Sequence, residues 1–470
     1  MRHAVVLYNP NAVFWTLPLA LIALGSAVDR SRYDVRIVDG RLEADPVATV
    51  VGQTRGALCF GVTVLTGRPI VDALRVTRAV RAAWPEVRIV WGGWHPSLFP
   101  EACLREAGVD AVVVGQGEVA FAEVLDRCAA GADLTGIPGV ACLGPDGTYL
   151  PATPRPLTEL ESLPAHRYDQ IPVEAYFGRK RARQLDYISS IGCRFRCAFC
   201  ADPEVYARGW SGLGAERIAT EAAELSRRYG VREVSFQDET FFTLRPRVLE
   251  LAEGLLRRGV DVRWQATLRA DQGGRLTDAE LVLLKRSGMF KVMIGVDAGT
   301  DAQMARVKKD LSVDQVRRIA VRLADAGIAA VFNFIVGYPD EEPEDFPGAV
   351  AVARELRAMS PRFEISMFFF RPYPGTAVAR SLQGRYAFPT TLEGWAGFDY
   401  VGASGPWVPP GQVERVRDFQ FYARLGYGDH DFPGARVLRR VAQWRVERGD
   451  YRFPVEERVA GWLRPGPALS

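Results

Sequence analysis

The sequence lacks a surplus of either charge: 59 basic residues stand against 56 acidic ones, a net of +3. That excludes a general attraction to nucleic acid or to an anionic membrane. It also lacks a long hydrophobic run. The apolar stretch nearest the start, Val13 to Leu24, contains Pro18 and falls short of a bilayer span. No disulfide framework is visible, because the seven cysteines are odd in number and irregularly spaced. A reducing compartment suits them. With Met1-Arg-His-Ala-Val-Val-Leu-Tyr running straight into a strand, a cytoplasmic protein is expected. No internal repeat and no low-complexity tail occurs. The one dense basic run, Arg179-Lys-Arg-Ala-Arg183, reads as a solvated linker edge.

What is present is ordinary soluble composition, 48% hydrophobic and 24% charged, over 470 residues, enough for two or three domains with real cores. The chain is organised around Cys193, Cys197 and Cys200, a CxxxCxxC spacing that follows the apolar run Tyr187 to Ile191. Three thiolates this close make a metal site. A tetrahedral zinc site or a fully ligated cubane wants four protein ligands. No cysteine follows Cys200, and His166 and His430 are far away in sequence. A three-cysteine [4Fe-4S] cluster with one open iron fits better, and an open iron takes a small molecule. The same lack of later cysteines counts against an auxiliary-cluster domain. Cys59, Cys103, Cys128 and Cys142 sit among apolar residues and read as small buried hydrophobes.

Strand-length apolar runs alternate with helical segments along most of the chain, which predicts an α/β fold with parallel sheets. In residues 1–150, strands are expected at Ala4 to Tyr8, Asp34 to Val38, Ala57 to Val62, Arg88 to Trp91 and Ala111 to Val114. They form a Rossmann-like domain whose ligand lies beyond the strands' carboxyl ends, at Trp91-Gly-Gly-Trp-His-Pro and Val114-Gly-Gln-Gly-Glu118 among others. Residues 151–185 form a proline-punctuated linker. In residues 186–380 six strands, near Tyr187 to Ile191, Glu233 to Gln237, Arg263 to Ala266, Lys291 to Gly295, Ala330 to Val336 and Ile365 to Phe370, alternate with crossover helices. Function in parallel barrels gathers at the strands' carboxyl ends. Residues 381–470 are read as a mainly helical cap.

The cysteine spacing on a strand exit resembles the radical S-adenosylmethionine (SAM) superfamily. The first domain, through Gly-Gly-Trp-His-Pro and Gly-Gln-Gly-Glu, looks like the cobalamin-binding domain of that superfamily's magnesium-protoporphyrin cyclase-like branch. The resemblance implies a partial (β/α)6 barrel, a [4Fe-4S] cluster on Cys193, Cys197 and Cys200, and SAM chelated to its open iron. It places Phe199 beside the adenine and Gln237, Asp238 and Glu239 by the methionine amine. Arg269 is the candidate for the carboxylate, and Asp297 with Thr300 stands where the family has Glu-Ser-Gly-Ser-like residues. Asn333 and Gly337 frame the adenine. Reductive cleavage of SAM to a 5'-deoxyadenosyl radical, fed by a flavodoxin- or ferredoxin-type donor, is the implied chemistry. Arg194 and Arg196 put positive charge beside an anionic cluster. The Asp-x-His-x-x-Gly motif that supplies a cobalt ligand in many B12 proteins is absent, which leaves cobalamin open. His95 is read as a hydrogen-bonding loop histidine.

Two outcomes for the substrate radical compete. The run Cys200-Ala-Asp-Pro-Glu-Val-Tyr-Ala-Arg208 resembles the 1,2-diol dehydratases of apramycin-type aminoglycoside biosynthesis, with Tyr206 as the catalytic residue that exchanges hydrogen or a proton with a sugar. This is the expected reaction. The alternative is methyl transfer from methylcobalamin, as in antibiotic and lipid methyltransferases of the branch. A non-enzymatic cobalamin or iron-sulfur sensor is the reading from another class, and the near-neutral charge and absence of a DNA-binding segment count against it. The expected partner is a hydroxylated small molecule, an aminoglycoside in the dehydratase reading. Trp210, Trp264, Phe332 and Tyr373 could alternatively stack on a flat ring.

Overall fold

The computed structural model describes residues 2–12, 15–398, 404–428, 435–452 and 456. The chain packs as two compact units, Met1–Thr267 with Arg286–Gly288 and Pro372–Asp399, and Leu268–Lys285 with Met289–Arg371 and Tyr400–Ser470.

The first unit begins with a seven-stranded sheet of β1 (His3–Asn9), β2 (Tyr33–Asp39), β3 (Cys59–Thr63), β4 (Arg88–Gly92), β5 (Ala111–Val113), β6 (Val140–Leu143) and β7 (Tyr149–Leu150), in the order β2-β1-β3-β4-β5-β6-β7. β1 to β5 are parallel and β6 and β7 antiparallel. All five expected strands are present; β6 and β7 are short additions at one edge. Val5, Val6, Leu7 and Tyr8 are all buried, because a parallel strand is covered on both faces. Val5 and Leu7 pack with Leu21 and Phe121 in one core, and Val6 and Tyr8 with Ile70 and Leu104 in the other. Helices Pro46–Gln53, Pro69–Ala83 and Pro100–Ala107 each open on a proline, whose fixed φ and missing N–H suit a first turn.

The linker holds two single 3-10 turns, Leu160–Ser162 and Tyr168–Gln170, and a helix at Val173–Lys180. Its basic run is exposed at Arg179, Arg181 and Arg183, as expected of a solvated edge, but Lys180 is drawn inward. Lys180 pairs with buried Asp186 at 2.6 Å, Arg183 pairs with Glu174, and Arg179 lies over Trp15. β8 (Gln184–Tyr187) then starts a second parallel set with β11 (Glu233–Phe236) and β12 (Arg263–Thr267), in the order β12-β11-β8. The run expected as one strand, Tyr187 to Ile191, divides. Ser190–Gly192 (β9) leaves the sheet and pairs antiparallel with β10 (Trp210–Gly212). The cause is Asp238, which takes both Ser189 and Ser190 out of the ladder direction by binding their hydroxyls.

The second unit contains β13 (Met289–Gly295), β14 (Ala329–Val336) and β15 (Phe363–Phe369), parallel and in the order β15-β14-β13. Helices Val313–Asp325 and Asp345–Met359 follow β13 and β14, and Pro410–Tyr427 and Ala435–Arg448 lie beyond β15. Five of the six strands expected for the barrel are thus strands where expected, and the first is displaced to Gln184–Tyr187. The region expected as a cap divides: Leu392, Trp395 and Phe398 join the core of the first unit beside Ile89 and Trp91. Within it 399–403, 429–434, 453–455 and 457–470, His430 included, lie outside the described residues. Among the described residues no helix is long and apolar enough to cross a membrane.

Asp186 ties three segments of the first unit together. Its carboxylate accepts from Leu17 N at 2.8 Å, from Lys180 Nζ and from Gln237 Nε2 at 3.2 Å. Asp186→Asn leaves the Lys180 ammonium, whose side chain is only 10% exposed, without its counter-charge. Loss of about 3 kcal/mol in urea unfolding is expected; a change below about 0.5 kcal/mol would show that the pair is dispensable.

Candidate active site

The site is built on loops at strand ends. β9 leads into the cysteine loop and β10 leads out of it, so a two-stranded ribbon closes its base. Gly192, at φ 80°, makes the turn into Cys193, and a Cβ there would collide with Gly209 O. Behind the ribbon Asp238, fully enclosed, accepts from Ser189 N (2.8 Å), Ser189 Oγ and Ser190 Oγ (2.6 Å each) and faces Arg247 at 3.6 Å. Arg208 clamps the loop from outside by donating to Arg194 O at 3.1 Å.

The three cysteines are partly buried on this loop. Burial pushes the Cys200 thiol well up, and the charges of Asp202, Cys197 and Cys193 add to it. A thiol held protonated in this way needs a multivalent cation beside it to ionise, so Cys200 with its two neighbours on the loop fits a cluster. Among the described residues no three His, Cys, Asp or Glu side chains converge on a single bound ion, and a cubane spreads its cysteines over separate corners. Asp202 accepts from Cys200 Sγ at 3.6 Å through Oδ2, while its buried Oδ1 has no partner.

Next to the loop, and wholly within the first unit, lies a cavity of about 400 Å³. One wall is the carboxyl end of the seven-stranded sheet, from Asn9 through Thr63 and Trp94 to Glu118; another carries Ile191, Tyr206, Gln237 and Glu239. The cavity runs inward along the sheet face between helices Leu19–Ala27 and Glu118–Ala129, where Leu24 and Phe121 line it. Glycine keeps this groove open. A Cβ on Gly61, in the middle of β3, would lie 2.8 Å from Leu7 Cδ2, and one on Gly117 3.1 Å from Leu24 Cδ2. A bulky cofactor with an apolar extension fits such a groove, so the residues present suit cobalamin.

Two carboxyls in the cavity hold their protons more tightly than usual. Glu239 accepts from Gly192 N at 3.2 Å, and burial, with the charge of Asp202 next, pushes its carboxyl up to about 8. Glu118 is also raised by burial. Burial and the nearby charges of Glu239, Asp202 and Glu118 raise Tyr206 well above an ordinary phenol, so it remains a neutral hydrogen-bond donor. Its ring meets Trp94 edge-on at 6.1 Å.

Of the expected residues, the first unit therefore brings together the three cysteines, Tyr206, Gln237 and Glu239. Phe199 lies on the same loop, half-buried. Asp238 belongs to the ribbon's support rather than to the cavity wall. In the second unit Arg269 donates to Asp271 at 3.1 Å and to Lys309 O at 2.9 Å, and Lys309 is ion-paired with Asp297, a non-glycine residue at φ 62°. Thr300 caps helix Asp301–Arg306 and donates to Asp345 at 2.6 Å. Asn333 O accepts from Val296 N and Asp297 N. Gly337, at φ 73°, accepts from Trp407 Nε1.

His95 is not in the cavity wall; its ring is buried, 3.2 Å from Thr66 Oγ1, in the hydrogen-bonding role expected of it. Trp264 and Phe332 have no exposed surface and cannot stack on a substrate. Sequence reasoning missed Trp94, the residue of its motif that faces the cavity, and Lys309. A buried lysine beside a strained aspartate leaves no periodic signal.

Residues 187–353 match the Radical SAM superfamily and residues 9–125 the B12 binding domain. The chain thus carries a B12-binding domain followed by a radical SAM domain, and it is an enzyme of the radical SAM class, which works with a [4Fe-4S] cluster and SAM. An uncharacterized methyltransferase of Pyrococcus horikoshii is 29% identical over 76% of this chain and 77% of its own length. The anaerobic magnesium-protoporphyrin IX monomethyl ester cyclase of Rubrivivax gelatinosus is 26% identical over 61% of this chain, which spans 52% of that protein. The radical SAM methyltransferase TsrM of Kitasatospora setae, solved with cobalamin and a [4Fe-4S] cluster bound, has the same fold, with a TM-score of 0.69 and 19% identity over 83% of this chain and 76% of that one.

A carboxyl that holds its proton more tightly folded than unfolded destabilises the native state as pH rises from its ordinary value of 4.5 towards 8. Glu239→Gln in the cluster-free chain is expected to be more stable than the parent, by a margin that grows between pH 5 and pH 8. Urea midpoints that differ by the same amount at both pH values would contradict this.

Proposed function

We propose that the protein is a cobalamin-dependent radical SAM methyltransferase acting on a small molecule. The observation that carries this reading is the cavity that joins the carboxyl ends of the B12-domain strands to the cysteine loop, with Trp94 and Tyr206 meeting across it. Two of the three similar proteins described above are methyltransferases, which supports methyl transfer over the dehydration expected from the Cys200 to Arg208 run. When bound, the cluster with SAM supplies a hydrogen-abstracting radical, and cobalamin supplies a transferable methyl group.

The chain's own residues then have distinct tasks. Cys193, Cys197 and Cys200 hold the cluster, and Arg194 and Arg196, both exposed on the loop, offset its negative charge. Glu239 and Gln237, on the cavity wall, accept hydrogen bonds from the SAM ammonium. Phe199 lies against the adenine. By the family resemblance alone, Arg269 is assigned to the SAM carboxylate, and Asp297, Thr300, Asn333 and Gly337 to its nucleoside. Leu24, Phe121 and Trp94 exclude water from the cobalamin side. Tyr206, held neutral, donates a hydrogen bond to a substrate oxygen or nitrogen between the two. A hydroxylated small molecule suits that donor, and a flavodoxin- or ferredoxin-type protein would supply electrons.

Anaerobic reconstitution with iron, sulfide and hydroxocobalamin is expected to leave about four iron and about one cobalt per chain. With SAM and a reductant, 5'-deoxyadenosine should form, and Cys197→Ala should reduce it to background. Four iron without cobalt would return the reaction to diol dehydration. In Tyr206→Phe, a fall in substrate turnover with unchanged 5'-deoxyadenosine release would place the phenol on the substrate; equal losses of both would not.

A further inference from the structure

The segment 372–398 leaves the barrel strands, packs in the first unit and touches both cofactor loops there. Near its start Val378 N donates to Ala198 O, inside the cysteine loop, at 3.1 Å, and Arg380 pairs with Glu204 at 3.2 Å. The second contact is exposed and contributes little; the first fixes a backbone atom two residues from Cys200.

At its far end the short helix Leu392–Trp395 is capped by Thr391 and anchored by Leu392 N donating to Glu106 at 2.8 Å. Leu392, Trp395 and Phe398 are 0, 4 and 1% exposed. The Trp395 ring lies 4.9 Å from Phe99, 4.9 Å from Phe398 and 6.0 Å from His95. His95 has no exposed surface, and its Nε2 has no partner. One ring nitrogen is bound at Thr66, and the other face of the ring is held by packing against Phe99 and Trp395.

His95 follows Trp94 directly at the start of the short helix Trp94–Leu98, and the two side chains have different surroundings, His95 the aromatic nest and Trp94 the cavity. The turn that carries them is stiff. Gly93 sits at φ 95°, where a Cβ would come within 2.9 Å of Thr63 Oγ1 and 3.0 Å of Val64 N, and His95 N donates to Val64 O. A turn so confined moves as a piece, so whatever seats His95 also seats Trp94.

Resting on the cobalamin reading above, we propose that residues 372–398 form a coupling strap, with Trp395 as the residue that positions the Trp94 wall of the cobalamin site according to the state of the cysteine loop. Ligation by iron fixes the loop and with it Ala198 O, which steadies the strap's start; the strap's end then presses His95 and Phe99 into place. Tyr206 touches Trp94 directly and offers a second route, so a change at Trp395 isolates the first. Coupling of this kind is reciprocal: cobalamin must steady the strap as much as the strap favours cobalamin.

The test is equilibrium binding of hydroxocobalamin to the full chain, followed by absorbance, with and without reconstituted cluster. In the parent, affinity is expected to rise about fivefold or more once the cluster is in place. Trp395→Leu should lose most of that gain while keeping the parent's iron per chain. Equal affinities in the two states of the parent, or an undiminished gain in Trp395→Leu, would overturn the proposal. Should Trp395→Leu not fold, hydrogen exchange in the parent decides. Added cobalamin must slow exchange at 391–398, although these residues do not line the cavity, and protection confined to cavity-lining segments would overturn the strap. A parent that shows the coupling yet makes no methylated product would count against the methyltransferase reading alone.

Discussion

A single carboxylate without water around it, Asp238, determines where the cysteine loop can be. It accepts three hydrogen bonds from Ser189 and Ser190 and stands 3.6 Å from Arg247. Burial raises its carboxyl, and the guanidinium and the serine donors oppose that shift. Arg247 in turn donates to Ser189 Oγ at 2.8 Å and lies against the ring of Trp210 in β10. Breaking one partner of such a group strands the others, so the ribbon of β9 and β10 is pinned at one position on the end of β11. The loop that presents Cys193, Cys197 and Cys200 starts from that pinned ribbon.

From there the cavity follows from geometry. Gln237 and Glu239 flank Asp238 in the turn that follows β11, and they line the cavity while Asp238 does not. They therefore face Tyr206 and the sheet end of the B12-binding domain. Enclosure does the electrostatic work: with little solvent to stabilise charge, Glu239 and Glu118 hold protons that exposed carboxyls would release. Such a wall changes character when a cationic group arrives, because an ammonium beside Glu239 restores the ionised form.

Much of this architecture could be read from residue pattern. Strands β1, β3, β4 and β5 are nearly continuous apolar runs, which burial on both faces demands, and every expected strand but the one at Tyr187 to Ile191 was present. The cysteine spacing spoke for itself, since no other three thiols in the chain lie so close in sequence. The division of Tyr187 to Ile191 into sheet and ribbon was not legible. It depends on Asp238, 48 and 49 residues downstream of the serines it binds, and hydrophobic periodicity carries no information about so distant a partner. The same holds for Trp395, which pattern assigns to a carboxyl-terminal cap but which packs against His95.

By itself the sequence determined the class of chemistry and the order of domains, because thiol spacing and apolar periodicity are local properties. Which residues share a cavity was decided only by tertiary structure. Trp94 and Tyr206 are distant in the chain and meet through the fold; Trp94 and His95 are adjacent and have different surroundings. The physical reason is that burial and hydrogen-bond satisfaction are set by the whole packed unit, and they choose between neighbours that the chain itself treats alike.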